Sequence, residues 1–326
     1  MHLDLQVGGF SGSYAHLNSL AKIRARWLAI ARHMVSLEAE HTRFGSADWF
    51  LARNQAFHAT LQLFHFNLMP RRGFLWKPQT RLGMASNVAG EAFTRAFAYG
   101  NLKASRVYQL DCALGITKNY GHTAAKVKPG GSISDKIGHR HRPDFVAVTA
   151  AGFHLLEAKG ASSRHCVSIG TVERQLADGL VQVSRIRELN GRSPVTRTAC
   201  SFAFDRRGSW GSVWDPPEDL ESYDVEVDFP ALVRRGYAAF LIEADIEEFG
   251  DGFVGVTLAP GIRFSVDRQI LMQAREVRDM RDVDEFHFML DRRRADLEHE
   301  GPTTSVGADG MRLDADMLEK VEHRPG

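Results

Sequence analysis

The chain of 326 residues is 44% hydrophobic, 25% charged and 10% aromatic, which is typical of a globular protein long enough for two domains. This composition excludes a collagen-like repeat, a disulfide scaffold and a chain that is disordered throughout. Without a run of 18 uncharged apolar residues, no membrane-spanning helix is expected. The amino terminus lacks a signal-peptide layout, and the three cysteines are widely spaced. We therefore expect a soluble cytoplasmic protein without a zinc cage.

The net charge of +1 conceals two parts of opposite sign. Residues 1–212 carry 28 Lys+Arg against 13 Asp+Glu, whereas residues 213–326 carry 13 against 27. A basic first part suggests a polyanionic partner. The alternative is two domains whose solvated surfaces differ in charge.

The amino-terminal part of the chain predicts helices. Apolar residues recur at spacings of three and four over residues 17–41, and a second helix is expected from Asp48 to Phe64. Residues 69–81, with two prolines and four basic residues, predict a loop. A third helix is expected between Ser86 and Gly100.

The middle of the chain predicts a helix followed by three strands, a helix and a strand. The expected strands cover residues 106–112, 143–149, 153–159 and 198–204, a helix covers residues 171–189, and a polar loop covers residues 117–142. Glycine, proline and acidic residues cluster over residues 208–222, where we expect a domain boundary.

The carboxy-terminal part predicts mixed α and β structure. The expected elements are a helix over residues 231–241, a hairpin around Pro260 and Gly261, and a charged helix over residues 283–298. The last 25 residues or so are expected to be loose and polar.

Two carboxylates and a lysine fall on the two middle strands. If residues 150 and 151 form the turn between them, antiparallel partners have numbers that sum to 301, which places Asp144 opposite Glu157. Lys159 shares their face because side chains two apart point the same way. Carboxylates whose β-carbons are ~5 Å apart repel each other unless one is protonated or a cation lies between them. Mg²⁺ or Mn²⁺ is the expected cation, although a three-residue turn would shift the register by one.

A surface hairpin with a same-face ion pair between Glu157 and Lys159 is the alternative interpretation. Pro-Asp and Glu-x-Lys are each expected about once or less by chance in a chain of this composition. Their conjunction in register on adjacent strands is much rarer, and it favours a functional site.

In these residues the sequence resembles the restriction-endonuclease-like nucleases, the PD-(D/E)xK superfamily. Pro143, Asp144, Glu157 and Lys159 match its signature, and the resemblance covers about residues 86–204. It implies an α/β fold whose core is a mixed sheet of order α-β-β-β-α-β flanked by helices. The expected regions are a helical amino-terminal addition over 1–80, the nuclease core over 81–210, and an acidic α+β region of unknown role over 211–326.

The resemblance also implies roles for individual residues. Asp144, Glu157 and the main-chain carbonyl of Ala158 would bind Mg²⁺ or Mn²⁺, and Lys159 would position and activate the attacking water. Many members of the family place a further glutamate on the helix before the first strand, where Glu91 is the only acid.

Two further features of the family pattern leave alternatives open. Glu91 could instead pair with Arg95 one turn along its helix. Some nuclease branches carry a glutamine on the helix after the lysine, and both Gln175 and Gln182 qualify. No tyrosine follows Gln175 at the spacing of RecB-like exonucleases, which argues against that branch.

Basic residues around the motif are candidates for binding phosphate without reading sequence. The nearest are Arg140, Arg142, Arg164 and Arg174, and the loop before the motif adds Lys118, Lys126, Lys128 and Lys136. DNA is the expected partner, ahead of RNA. The resemblance adds a protein partner, such as a helicase or methyltransferase, or a homodimer.

The sequence thus predicts a metal-dependent DNA endonuclease acting in restriction, phage defence, mobile-element processing or repair. One alternative is a non-cleaving nucleic-acid-binding protein that keeps the nuclease fold. Another is an interaction protein in which the hairpin is only structural.

The acidic carboxy-terminal region suggests autoinhibition. A segment containing Glu243, Asp245, Glu247 and Glu248 could cover the basic face until DNA displaces it. A solvated face or a partner-binding module is the alternative.

Overall fold

The computed structural model of the chain describes residues 2–41, 46–110, 125–127, 131–132, 143–215, 223–242 and 246–316. Its α-helices are α1 (Trp27–His41), α2 (Ser46–Leu63), α3 (Arg72–Leu75), α4 (Gln79–Phe97), α5 (Ile169–Ser184), α6 (Phe229–Ile242), α7 (Arg268–Glu276) and α8 (Met280–Leu297). Its longer strands are β1 (His2–Gly8), β3 (Arg106–Gln109), β6 (Phe145–Thr149), β7 (Gly152–Ser162), β8 (Ile186–Leu189), β9 (Thr196–Asp205), β10 (Gly208–Trp214), β11 (Tyr223–Val227), β13 (Phe253–Ala259), β14 (Ile262–Asp267) and β17 (Met311–Ala315). Shorter strands are β2 (Lys22–Arg24), β4 (Ala125–Val127), β5 (Gly131–Ser132), β12 (Glu247–Phe249), β15 (His299–Glu300) and β16 (Thr304–Val306).

A mixed seven-stranded sheet forms the centre of the molecule, in the order β2-β1-β10-β9-β7-β6-β3. Strands β3, β6 and β7 form an antiparallel meander, and β9 lies parallel to β7. Parallel neighbours need a long crossover connection, which α5 and β8 provide. The protein is therefore a mixed α/β protein.

Helices α4 and α5 cover opposite faces of β7. A Cβ added at Gly160 would overlap the carbonyl oxygen of Ser86 in α4, whereas Gly179 of α5 lies against the side chain of Glu157. Residues 157 and 160 point to opposite faces of a strand. The added Cβ at Gly90 would lie 2.7 Å from the carbonyl oxygen of Lys159, so glycines on both elements let α4 approach the strand backbone closely.

Two smaller sheets complete the fold. One has the order β5-β4-β11-β8, and the other has the order β12-β13-β14-β17-β16-β15. The hairpin predicted around Pro260 and Gly261 is confirmed, since β13 and β14 pair on either side of it. One buried hydrophobic cluster extends from Leu3 to Ala315 and includes side chains from all three expected regions. The division of the chain at residues 80 and 210 stays a prediction.

The predicted amino-terminal helix over residues 17–41 is wrong in its first part. Residues Gly12–Ser19 form a 3-10 helix and Lys22–Arg24 form β2, so the α-helix begins at Trp27. Tertiary contacts override the helical period here, because β2 pairs with β1 and buries Ile23 in the core. The region expected to be helical therefore also contains two strands of the central sheet.

Further boundaries differ from the prediction. Residues 69–81, expected to form a loop, contain α3 and the start of α4, which begins at Gln79 rather than near Ser86, because Phe74, Leu75 and Leu82 are buried in the core. The helix expected over residues 171–189 ends at Ser184, because residues 186–189 instead form β8 and pair with β11. The boundary expected over residues 208–222 begins with β10, which fills the gap between β1 and β9. The end of the chain, expected to be loose, contains β16 and β17, whose partner β14 lies far away in sequence.

Candidate active site

The turn between β6 and β7 has the length that the predicted register requires. Phe145 pairs with Leu156 across these antiparallel strands, and their numbers sum to 301. The next pair outward is Asp144 and Glu157. The predicted register is confirmed. It places the two carboxylates beside each other where β6 begins.

Hydrogen bonds hold the two carboxylates at this position. The main-chain N–H of Asp144 donates to Oε2 of Glu157 at 3.1 Å, and the N–H of Ala158 donates to Oδ2 of Asp144 at 2.8 Å. Each carboxylate is thus bound to the backbone of the other strand. The arrangement is preorganised, because neither side chain can leave without losing a hydrogen bond to the backbone.

Lys159 lies beside the pair, as predicted from the two-residue period of the strand. Its Nζ atom donates to Oε1 of Glu157 and to Oε1 of Gln182, the latter at 2.9 Å. The Lys159 side chain is 26% exposed, whereas the Glu157 side chain is 2% exposed. The ammonium group is therefore held by a carboxylate and an amide, with part of the side chain in contact with solvent.

Burial dominates the electrostatics of Glu157. Burial, followed by the nearby charge of Asp144, raises the pKa of Glu157 well above its usual value of 4.5, while Lys159 acts to lower it. A buried carboxylate beside a second carboxylate is costly in its ionised form. A bound divalent cation would relieve this repulsion.

The raised pKa of Glu157 predicts a dependence of stability on pH. Between pH 4.5 and its raised pKa, Glu157 keeps a proton in the folded chain that the unfolded chain releases, so this group lowers stability as pH rises. We expect metal-free Glu157→Gln to melt at a higher temperature than wild type at about pH 8, with the difference shrinking towards about pH 4.5.

Thermal melts across this range test the expectation. Glu173→Gln, at an exposed glutamate of α5, is the matched control and should follow wild type at every pH. An advantage of Glu157→Gln that is the same at every pH would contradict the role given to Glu157.

The oxygen atoms at this edge suit a hard divalent cation. The N–H and C=O of one residue point to the same side of an extended strand, so the carbonyl of Ala158 lies on the side where its N–H meets Asp144. Two carboxylates and a carbonyl are ligands that Mg²⁺ and Mn²⁺ accept, with water completing the coordination. Among the residues that the structure describes, no three His, Cys, Asp or Glu side chains form a metal-binding group. Asp144 and Glu157 therefore supply two carboxylates without a third such side chain in that part of the chain.

The third acid expected from the family resemblance is Glu91. Glu91 is half-buried on α4, directly after the glycine that packs on Lys159. Its expected alternative partner, Arg95, is buried and donates to the carbonyl of Val107 at 2.7 Å. The role of Glu91 as a metal ligand stays a prediction.

The two candidate glutamines have different surroundings. Gln182 accepts a hydrogen bond from Lys159, whereas Gln175 donates to the carbonyl of Gly160 at 3.3 Å and accepts from the hydroxyl of Ser201 at 2.9 Å. Gln175 thus binds the backbone of β7 and a side chain of β9. The sequence offered both residues on one helical face, seven apart, and nothing in their spacing distinguished them.

The structure places two of the four candidate arginines on the surface. Arg164 lies 5.2 Å from the centre of the Trp76 ring, which is 68% exposed, and Arg174 is exposed on α5. Arg140 and Arg142 lie outside the described residues, as do Lys118, Lys128 and Lys136. Sequence reasoning missed Trp76. The available signal was a tryptophan in a segment that contains prolines and basic residues.

Only part of the acidic segment proposed to cover the basic face is described. Glu247 and Glu248 lie on β12, and Glu248 forms an exposed ion pair with Arg268 of α7. Glu243 and Asp245 lie outside the described residues. The autoinhibition hypothesis stays a prediction.

No family model matches the chain, and neither the curated proteins nor the solved structures contain a match to it. The chemistry of the site must therefore be inferred from its own residues. In the described part of the chain, no helix is long and apolar enough to cross a membrane.

Proposed function

We propose that the chain is a metal-dependent nuclease of the restriction-endonuclease-like type that hydrolyses phosphodiester bonds in DNA as an endonuclease. The observation that carries the proposal is the placement of Asp144 and Glu157 directly opposite each other, with Lys159 hydrogen-bonded to Glu157. The order of α4, β3, β6, β7, α5 and β9 supports the proposal, since the family resemblance implies a core of order α-β-β-β-α-β with a mixed sheet.

The two carboxylates and the Ala158 carbonyl would hold Mg²⁺ or Mn²⁺. The ion would neutralise phosphate charge and lower the pKa of bound water. Lys159 supplies a preorganised positive charge where negative charge develops on the attacked phosphate. Gln182 fixes the position of that ammonium group, since its amide oxygen accepts one of the three N–H bonds.

The charge distribution supports a polyanionic substrate. The first 212 residues carry an excess of 15 positive charges, and the exposed Arg164 and Arg174 belong to this part. Such groups bind the phosphates of nucleic acid without sequence preference. A cytoplasmic protein of restriction, phage defence, mobile-element processing or repair would meet this substrate.

Binding of Mg²⁺ can be tested without measuring cleavage. With a dissociation constant of about 1 mM, about 10 mM Mg²⁺ would stabilise the folded chain by roughly 1.4 kcal/mol, or about 2–4 °C in melting temperature. Asp144→Asn should lose this stabilisation, because an amide is a weaker ligand, while its oxygen can still accept the N–H of Ala158.

The control is Asp178→Asn, at an exposed position of α5, which should keep the Mg²⁺ response. Equal stabilisation of Asp144→Asn and wild type would place the metal elsewhere. If wild type shows salt-sensitive DNA binding but neither stabilisation nor cleavage with Mg²⁺ or Mn²⁺, the non-cleaving binding protein becomes the better interpretation.

A further inference from the structure

A cavity lies apart from the proposed active site. It encloses about 510 Å³ where the turn between β2 and α1, the end of α4 and residues 298–306 meet. Its charged lining residues are Arg24, Arg26, Arg32, Lys103, Glu298 and Glu300. None of these belongs to the cluster of Asp144, Glu157 and Lys159.

Positive charge exceeds negative charge in this cavity. Four cationic side chains face two carboxylates, and His33 also lines the wall. Burial, followed by the charge of Arg32, lowers the pKa of His33 well below its usual value, so this imidazole is neutral. The buried carboxylate of Asp309 lies close to Arg32 behind the wall, and counting it still leaves an excess of cations that favours an anionic ligand.

Buried polar atoms in the cavity have unused hydrogen-bonding capacity. Arg32 is only 5% exposed, and its Nη1 atom has no hydrogen-bond partner among the described residues. Oε2 of Glu300 likewise has none there, and Oε1 of Glu300 lies 3.9 Å from Nη2 of Arg32. Leaving such groups buried and unsatisfied is costly. Both atoms are buried behind the cavity wall, so a ligand would contact the more exposed parts of this wall rather than these two atoms.

The backbone beside the cavity is irregular. A π-helix, Ala98–Leu102, follows α4, and Lys103 then adopts a left-handed conformation with φ of 62°. A π-helix and a left-handed non-glycine residue are both uncommon, and they concentrate at functional sites. Here the π-helix follows the end of α4 at the rim of the cavity, and the exposed Lys103 lies at the same rim.

The cavity also has an aromatic wall. The ring of His33 stacks on that of Tyr99 with centroids 5.3 Å apart and planes within 4° of each other. Both residues line the cavity. A cavity of this volume suits a molecule of mononucleotide size. The charged residues would contact the polar groups of that molecule, and the aromatic wall would contact its flat ring.

We propose that this cavity binds a small phosphorylated molecule of the mononucleotide class. The phosphate would contact the exposed Arg24 and Lys103, in front of the buried Arg32, and a hydroxyl or amino group would donate to Glu300. The carboxylates of Glu298 and Glu300 repel a continuous phosphodiester backbone, which makes DNA a poorer occupant. This site is independent of the proposed nuclease activity.

Calorimetric titration of the full chain tests the proposal with adenosine monophosphate, inorganic phosphate and adenosine as probes. The monophosphate should bind wild type, and adenosine should not. Lys103→Gln and Arg24→Gln change exposed side chains, so both should fold, and each should weaken binding about 10-fold through the loss of one charged contact. Arg278→Gln, at an exposed arginine outside the cavity, should leave binding unchanged.

Comparison of the probes distinguishes a site for a phosphorylated nucleoside from a site for free phosphate. Equal affinity for inorganic phosphate, with the same response to the variants, would support the site and identify free phosphate as sufficient. Binding of neither anion at about 1 mM would overturn the proposal, as would unchanged affinity in Lys103→Gln. Loss of DNA affinity in the cavity variants, without binding of the small probes, would also overturn it and assign the surface to nucleic acid.

Discussion

Replacing Lys159 with methionine is expected to lower metal-dependent DNA cleavage at least ~10³-fold, equivalent to about 4 kcal/mol of transition-state stabilisation. The ammonium group provides a fixed positive charge beside the buried carboxylate of Glu157, and methionine keeps the apolar stem while removing that charge. Because the side chain is partly exposed, the variant should fold. Cleavage of supercoiled, linear and single-stranded DNA with Mg²⁺, Mn²⁺ or EDTA measures the loss, and nicking of the circular substrate identifies endonuclease action.

Lys22→Met is the matched control, since Lys22 is exposed on β2 and pairs with Asp4. It should cleave at the wild-type rate. Gln182→Ala should lie between the two variants, because it removes the amide that positions Lys159 but leaves the charge in place. A Lys159→Met protein that is folded and cleaves like wild type would contradict the proposed site.

Gly160→Ala is expected to destabilise the fold by about 3 kcal/mol or more. Its added Cβ would overlap the carbonyl oxygen of Ser86, which belongs to the backbone of α4 and cannot rotate away as a side chain could. The clash must move α4 away from β7, so the contact that holds the strand of Glu157 and Lys159 is weakened. Urea unfolding of the two proteins gives the difference in free energy.

Gly170→Ala provides the comparison for this variant. A Cβ at Gly170, in the first turn of α5, meets nothing within 4 Å, and alanine favours helix by about 0.5–1 kcal/mol over glycine. The control should therefore be as stable as wild type or more so. If Gly160→Ala unfolds at the wild-type urea concentration, α4 does not pack on β7 as closely as described.

Local rules were sufficient to predict the geometry of the central hairpin. Its register depends on the length of one turn and on the two-residue period of a strand, and both can be read from residues 143–159. The position of Lys159 beside Glu157 follows from the same period. Most of the candidate site could thus be placed from a single stretch of sequence.

Elements that depend on distant partners could not be predicted in this way. Strand β2 has three residues and is specified by its pairing with β1, while β10 lies in a segment rich in glycine and polar residues. Gln182 and Gln175 share a helical face, and only the packing of α5 on the sheet determines which of them meets Lys159. In each case the deciding contact involves residues far away in sequence.

The parallel pairing of β1 with β10 has a consequence for folding during synthesis. The partner of residues 2–8 is made about 200 residues later, which at 5–20 residues per second is roughly 10–40 s. Until then β1 and β2 can form only a two-stranded ribbon, which is marginally stable alone. Strands β3, β6, β7 and β9 all emerge before β10, so the half of the sheet that carries Asp144 and Glu157 can assemble first. The amino-terminal ribbon then joins the sheet last, as a slow, high-contact-order step.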